Sequence, residues 1–138
     1  MKKRLLGYFN LLPIIIICGC VSTAVFNQRA YEQDVNIKVD ALALVDKADQ
    51  PYMQHADEVG QFKLNIEKAY QYAKGLPNNN ETIAQWEIIR NPNEASIAGF
   101  LERWKSEGQL SRVFIEDAKI EIGKQFDQVI ELESGKRK

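Results

Sequence analysis

The chain has 138 residues, of which 45% are hydrophobic and 27% charged, and its 18 Lys and Arg against 19 Asp and Glu give a formal net charge of −1. This length suits one domain, and the charged and aromatic content argues against wholesale disorder. The balanced charge excludes a strongly basic nucleic-acid-binding protein, and the presence of only one long apolar run excludes a membrane protein with several spans.

The first residues combine a basic segment with an apolar one. Lys2, Lys3 and Arg4 precede an apolar stretch at residues 5–17. A transmembrane helix needs about 20 apolar residues, so this stretch is too short to span a bilayer comfortably. Its length and its basic flank are typical of the hydrophobic region of a secretory signal peptide.

The end of the apolar stretch reads Ile17-Cys18-Gly19-Cys20. This sequence resembles the lipobox of bacterial lipoprotein precursors, although Cys18 departs from the Ala or Ser usual at its position. The resemblance implies a diacylglyceryl group on the Cys20 sulfur and signal cleavage between Gly19 and Cys20. If Cys18 were the lipidated residue, Ile17 would precede the cut, where a small residue is expected, so Cys20 is the predicted site. The alternative is an uncleaved N-terminal anchor with two incidental thiols.

Processing at Cys20 would leave a chain without free thiols. Cys18 and Cys20 are the only cysteines in the sequence, and the lipid would block the sulfur of Cys20. Removal of residues 1–19 takes away three of the 18 basic residues and no acidic one, leaving 15 against 19 and a net charge of −4. Membrane attachment would therefore rest on the acyl chains, at about 0.8 kcal/mol per buried methylene.

Val21 bears on which membrane would hold the protein. In enteric-type lipoproteins, Asp after the lipidated Cys commonly signals retention in the inner membrane. The resemblance therefore implies an outer-membrane location facing the periplasm in a Gram-negative source. In a bacterium with one membrane, it implies the outer face of the plasma membrane.

The apolar spacing after residue 24 is mostly helical. Residues 24–48 are ambiguous, because apolar residues recur at three- and four-residue steps while residues 35–40 also alternate as in a strand. No turn residues bound that short run and no partner strand is evident, so a helix is favoured. Pro51 then interrupts the chain and can begin the next helix.

The second helical segment is strongly amphipathic. Its apolar residues recur at steps of three or four and are Tyr52, Ala56, Val59, Phe62, Ile66, Ala69 and Ala73. Gly75 is predicted to take a left-handed cap conformation, and Pro77 blocks continuation. A short segment at residues 82–90 follows, and its apolar residues share one helical face.

Capping residues predict the ends of the last two helices. Asn91 is predicted as an N-cap with Pro92 at the first helical position, and Gly108 ends that helix. Ser111 is predicted to cap the last helix, which runs to about Leu132.

These segments predict an all-α fold, a small bundle of four to five helices behind a lipidated N-terminal tether. The predicted division is a signal peptide at 1–19, a lipidated Cys and tether at 20–30, a helical domain at 31–133 and a basic tail at 134–138. The stripe Ile115–Ile122–Val129 of the last helix is expected to face the stripe Val59–Phe62–Ile66 of the second.

No catalytic or metal-binding pattern stands out in the sequence. His55, the only histidine, lies three residues before Glu58, a spacing that suits two metal ligands on one helical turn. A second histidine is missing, so a structural role for His55 is favoured. The carboxylate pairs Glu116 with Asp117 and Glu131 with Glu133 are expected on a solvated helix face. Nucleophile-elbow, phosphate-loop, zinc-protease and calcium-loop patterns are absent from the sequence. We therefore expect neither an enzyme nor a bound cofactor or metal.

Trp86 and Gln125 are the candidate partner contacts. Trp86 lies in the weakest helical segment, where an exposed aromatic side chain would anchor a partner, although Trp is more often a core residue. Gln125 occupies an otherwise apolar position of the last helix, either near solvent or as a buried amide that selects a partner helix. The tail Lys136-Arg137-Lys138 is expected to be solvated.

The predicted function is that of a lipid-anchored protein of the bacterial envelope, acting as a non-enzymatic structural, adaptor or exclusion factor through protein–protein contacts. Its expected partners are the membrane, through the acyl chains, and another envelope protein, with no role in binding nucleic acid. The alternative is a binding module for a small apolar ligand or lipid held between the helices. A roomy cavity lined by Phe62, Phe100 and Phe126 would favour that alternative.

Overall fold

The computed structural model describes residues 24–136 and shows five α-helices with no strand in that range. The helices are α1 (Gln28–Val45), α2 (Ala56–Gly75), α3 (Asn80–Arg90), α4 (Ile97–Glu107) and α5 (Arg112–Ser134), with a short 3-10 turn at Tyr52–Gln54 before α2. The predicted all-α bundle is thereby confirmed. The predicted lipidation and cleavage positions, Gly19 and Cys20, lie outside the described residues.

Helix α1 resolves the ambiguity between helix and strand at residues 35–40. The Asn27 side chain caps the helix by accepting a hydrogen bond from the Ala30 amide at 3.0 Å. Buried apolar residues then follow at helical spacing and are Ala30, Ile37, Ala41, Leu44 and Val45. The whole segment is therefore helical because burial follows the 3.6-residue period, and the short alternation within it has no effect.

Two ends of the bundle can be defined by the loops that meet there. At the proximal end, the Tyr72 hydroxyl of α2 donates to Asn27 Oδ1 at 3.1 Å. The side-chain amide of Asn79, just before α3, donates to the Ala73 carbonyl at 2.9 Å. At the distal end, the Leu110 amide donates to the Ala48 carbonyl at 2.8 Å. Helices α1, α2 and α5 each run between these ends.

Helices α3 and α4 together form the remaining side of the bundle. Helix α3 starts at the proximal end, and α4 finishes at the distal end, where the Tyr52 amide donates to the Gly108 carbonyl at 2.8 Å. Both helices therefore run in the same direction, and each is 11 residues long. The result is an up-and-down four-helix arrangement whose third side is broken in the middle.

The predicted pairing of α2 with α5 is wrong. The stripes Ile115–Ile122–Val129 and Val59–Phe62–Ile66 are both buried, as expected. However, α5 packs against α1 and α3, and α2 packs against the same two helices, so α2 and α5 lie diagonally across the core. Trp86 of α3 takes the place beside α5, with its ring 6.1 Å from that of Phe126 in an edge-on contact.

Two predicted caps also need correction. Gly75 is the last residue of α2 and has no positive φ; Leu76 is extended, as expected before a proline, and Asn78 has the positive φ of 56°. Asn91 ends α3 instead of starting α4, whose N-cap is Ser96. The predictions for Gly108, with φ 80°, and for Ser111, whose hydroxyl accepts from the Phe114 amide, are confirmed.

Candidate functional site

The break between α3 and α4 is held by specific local contacts. The Ser96 hydroxyl donates to the Asn91 carbonyl at 2.9 Å and accepts from the Gly99 amide at 3.3 Å. The Glu94 carbonyl approaches Gly99 so closely that a Cβ there would lie 2.2 Å from its oxygen. A residue without a side chain is therefore needed at position 99 for the connecting loop to fold back on α4.

Gln125 ties this loop to α5. Its amide nitrogen donates to the Ala95 carbonyl at 2.6 Å, while its Oε1 is buried without a hydrogen-bond partner among the described residues. Gln125, predicted as a partner contact, thus uses its side-chain NH2 group for a hydrogen bond within the chain. Its position supports the loop that begins α4.

A groove of about 440 Å³ lies between the loop, α4 and the first half of α5. Phe100 and Phe114 stack in its wall with ring centroids 5.9 Å apart and planes inclined by only 4°. Ala118 and Ile122 of α5 complete the apolar lining. The guanidinium carbon of Arg103 lies over the Phe114 ring, 4.0 Å from its centroid, in a cation–π contact.

Three carboxylates border the groove. They belong to Glu94, Asp117 and Glu121. Glu121 pairs with Lys124 at 2.7 Å on the exposed side of α5, whereas the side chains of Glu94 and Asp117 have no ion pair or hydrogen bond within the described part of the chain. The one basic residue of the lining, Arg103, is itself paired with Glu107 at 2.7 Å. The border of the groove is therefore negatively charged.

Trp86 does not provide the exposed aromatic contact predicted as one alternative. The residue is only 1% exposed and packs edge-on against Phe126 in the core. A partner cannot reach its indole in this conformation, so Trp86 acts as the core residue that the commoner alternative describes. Its burial arises because α3 lies between α2 and α5.

His55 has a structural environment at the distal end. Its Nδ1 lies 3.3 Å from Glu58 Oε2, its Nε2 lies 2.8 Å from Gln50 Oε1, and its ring is 5.5 Å from that of Trp104. The Lys47 ammonium, with a smaller contribution from His55, holds the pKa of Glu58 below its usual value. Within residues 24–136, no three His, Cys, Asp or Glu side chains are grouped to hold a metal ion.

A buried polar cluster at the proximal end shows that the prediction of a solvated position for Glu133 is wrong. The Glu133 carboxylate is fully buried. It accepts a hydrogen bond from the backbone amide of Asn27 at 2.6 Å and one from the Lys136 ammonium at 2.5 Å. Lys136 also donates to Asn79 Oδ1 at 2.5 Å. Lys136, predicted to belong to a solvated tail, is thus part of the packed structure, while Arg137 and Lys138 lie outside the described residues.

Asp34 of α1 adds a second acid to this cluster. The residue is 3% exposed, and its Oδ2 has no hydrogen-bond partner among the described residues. Burial, and secondarily the negative charge of Glu133, raise the pKa of Asp34 to about 7, against a smaller opposing influence of Lys136. The sequence contains one indication that Asp34 is buried, because Asp34 falls between Ala30 and Ile37 at the helical spacing of the buried face of α1.

None of the described helices has the length and apolar character needed to cross a bilayer. No family model matches the chain, and searches of curated proteins and of solved structures find nothing similar to it. The groove between α4 and α5 combines apolar lining with acidic side chains, and it is the candidate functional site.

Proposed function

We propose that the protein is a lipid-anchored component of the bacterial envelope that acts without catalysis, as an adaptor or structural factor, through contacts with another protein. The observation that carries this proposal is the sequence Ile17-Cys18-Gly19-Cys20 after a basic and apolar leader. The filled helical core and the groove on its surface support a role in binding a partner.

A short connection would hold the bundle close to the membrane. Only seven residues lie between Cys20 and the start of α1 at Gln28, and the eight Cα–Cα steps that join these two residues span at most about 29 Å. The proximal end, where α1 begins, would therefore face the bilayer, and the distal end would point away from it.

The groove would then be presented at a distance from the lipid. Helix α5 has 23 residues and is about 35 Å long at 1.5 Å per residue. Phe114 and Ile122 lie in its first half, toward the distal end. A partner in the envelope would thus meet the groove roughly 20 to 30 Å beyond the proximal end, which suits an adaptor tethered at its other end.

The packing of the core favours a protein partner over a ligand held between the helices. Phe62, Phe100 and Phe126 are all buried, at 5%, 5% and 0% exposure, and of the three rings only that of Phe100 borders the groove. The three rings therefore do not enclose one common chamber. Apolar side chains also remain on the outer side of α5, where Val113 is 74% and Ile120 is 58% exposed.

Replacement of Cys20 tests the anchor directly. We expect Cys20→Ser to abolish incorporation of labelled palmitate and to leave a full-length precursor, because the thiol that accepts the lipid is missing. Cys18→Ser is the matched control and should be labelled and processed like the parent. Equal acyl labelling of the Cys20→Ser protein would show that the proposed anchor is wrong.

Membrane fractionation tests the location. With Val21 after the lipidated Cys, a protein from a bacterium with two membranes is expected in the outer-membrane fraction. Recovery mainly from the inner membrane contradicts this expectation. The Cys20→Ser variant should lose the outer-membrane location whatever residue stands at position 21. It therefore separates the effect of the anchor from that of the sorting signal.

A further inference from the structure

We infer that the groove between α4 and α5 is a docking site for a basic amphipathic segment, a helix with apolar residues on one face flanked by Lys or Arg, of the partner protein. This inference rests on the proposed function and adds the chemistry of the partner. Three features carry it: the apolar wall of the groove, the charge of its border and the construction of the loop that holds it open.

The wall supplies apolar surface of a suitable form. The partly exposed Phe114 ring, which stacks on the buried Phe100 ring, provides aromatic surface beside the exposed side chains of Pro92 and Ala95. The small side chain of Ala118 leaves room next to it. Grooves of this kind receive one or two large apolar side chains of an amphipathic helix. A volume of about 440 Å³ is sufficient for that purpose.

The border determines the charge of the occupant. The carboxylates of Glu94, on the loop, and of Asp117, on α5, both border the groove, and neither forms an ion pair within residues 24–136. Lys or Arg side chains of a docked helix would reach these acids while its apolar face contacts the rings. Complementary charge at such a border gives specificity and speeds association.

The same charge disfavours two other occupants. A fatty acid or an anionic lipid would bring a negative group to a negative border, which is unfavourable. A second copy of this chain would bring another surface with excess acid, since processing at Cys20 leaves 15 basic against 19 acidic residues. A cationic segment of a different protein is the occupant that the charges favour.

The loop shows that the groove is built into the fold. Gly99 accepts the close approach of the Glu94 backbone, and the Gln125 amide fixes Ala95 at 2.6 Å. These contacts hold the loop that carries Glu94 across the groove from α5. The opening is thus maintained by the packing of the chain itself and does not depend on the occupant.

Site-specific cross-linking measures occupancy of the groove. The full chain is placed in zwitterionic nanodiscs with a photoreactive benzoylphenylalanine at Ala95 in the groove, or at Val39, which is 61% exposed on α1. The probe is a synthetic helical peptide with Leu on one face and Lys on the other, and its matched control carries Glu in place of every Lys. We expect cross-linking of the Lys peptide at position 95 only, and none of the Glu peptide at either position.

Charge variants then identify the border as the cause. Neutralising Glu94→Gln together with Asp117→Asn should weaken cross-linking of the Lys peptide by about fivefold at low salt, and 0.5 M salt should reduce that difference. The control pair Asp40→Asn and Glu81→Gln removes the same charge from exposed positions outside the groove. This pair should leave the apparent affinity within about twofold of the parent.

Each contrary result overturns the inference. Equal cross-linking of the Lys peptide at Val39 and Ala95, or equal weakening by the two pairs of variants, would show that the peptide is attracted only by overall charge. Displacement of the peptide by oleate would assign the groove to an apolar ligand. Cross-linking is measured both in the parent in nanodiscs and in the unacylated Cys20→Ser chain, which keeps its apolar leader. Failure of the peptide to cross-link therefore leaves the proposed lipid anchor standing, and a failed anchor leaves the groove to be tested by the peptide.

Discussion

Asp34 is an acid whose environment opposes its charge. Its carboxyl lies on the buried face of α1, near the fully buried Glu133, and its Oδ2 has no hydrogen-bond partner among the described residues. Desolvation raises the pKa of Asp34 from 3.8 to about 7. The folded protein therefore keeps a proton on this group under conditions in which the unfolded chain has lost it.

This difference predicts a pH dependence of stability. Between pH 4 and 7 the folded state holds one more proton than the unfolded state at this site, so raising the pH favours unfolding by up to about 1.4 kcal/mol per pH unit. Above pH 7 neither state holds the proton and the effect levels off. We expect Asp34→Asn to remove this slope, as measured by denaturant unfolding at pH 5, 6, 7 and 8.

A matched variant on the same helix controls for general charge effects. Asp40 is exposed on α1, so Asp40→Asn should keep the slope of the parent between pH 5 and 8. The half-buried acids Glu67 and Glu102 have lowered pKa values, because Gln71 and Lys63 respectively donate hydrogen bonds to them. Their contribution has the opposite sign and is lost below pH 4.5. A parent whose stability does not fall between pH 5 and 7 would contradict the assignment of Asp34.

At the scale of helices and loops, the sequence predicts their number and several of their ends but not the limits of the break. Gly108 and Ser111 are recognisable because each has one favoured role. Asn91-Pro92 and Ser96 both fit the start of a helix, and local preference selects the wrong one. Which residue starts α4 depends on distant contacts. One of them is the hydrogen bond that the Gln125 side-chain amide donates to the Ala95 carbonyl, 30 residues away in the sequence.

Two glycines in helices should respond oppositely to alanine. Gly99→Ala would place a Cβ 2.2 Å from the Glu94 carbonyl oxygen and 3.2 Å from the Pro92 carbonyl oxygen, so the loop must shift at a cost of about 1–3 kcal/mol. Gly60 lies in α2 with no atom within 4 Å of an added Cβ, so Gly60→Ala should stabilise the protein by roughly 0.5–1 kcal/mol. Thermal melts of both variants compare the two effects. A Gly99→Ala protein as stable as the parent would show that the loop is not packed as described.

For the whole molecule, the inward faces of the helices were predictable and their arrangement was not. The stripes of α2 and α5 are buried as predicted, yet the two helices are diagonal partners. A hydrophobic stripe indicates only which face of its helix is buried. Several arrangements of four helices bury the same faces, so the stripe does not determine which helices are neighbours. The sequence likewise places Asp117 on a solvated helix face, but its position on the same groove as Glu94 depends on the loop between α3 and α4.

Two substitutions on α5 test how the bundle depends on its core. Val129 is fully buried and Ile120 is 58% exposed on the same helix, so Val129→Asp and Ile120→Asp introduce the same side chain and nearly the same change in helix propensity. Val129→Asp removes a core contact and places a carboxyl in the interior, which should cost several kcal/mol of a total stability of about 5–15 kcal/mol. Ile120→Asp should change stability by less than about 1 kcal/mol, because the group stays in water. Circular dichroism melts that differ little between the two variants would show that this face of α5 does not form the core of the bundle.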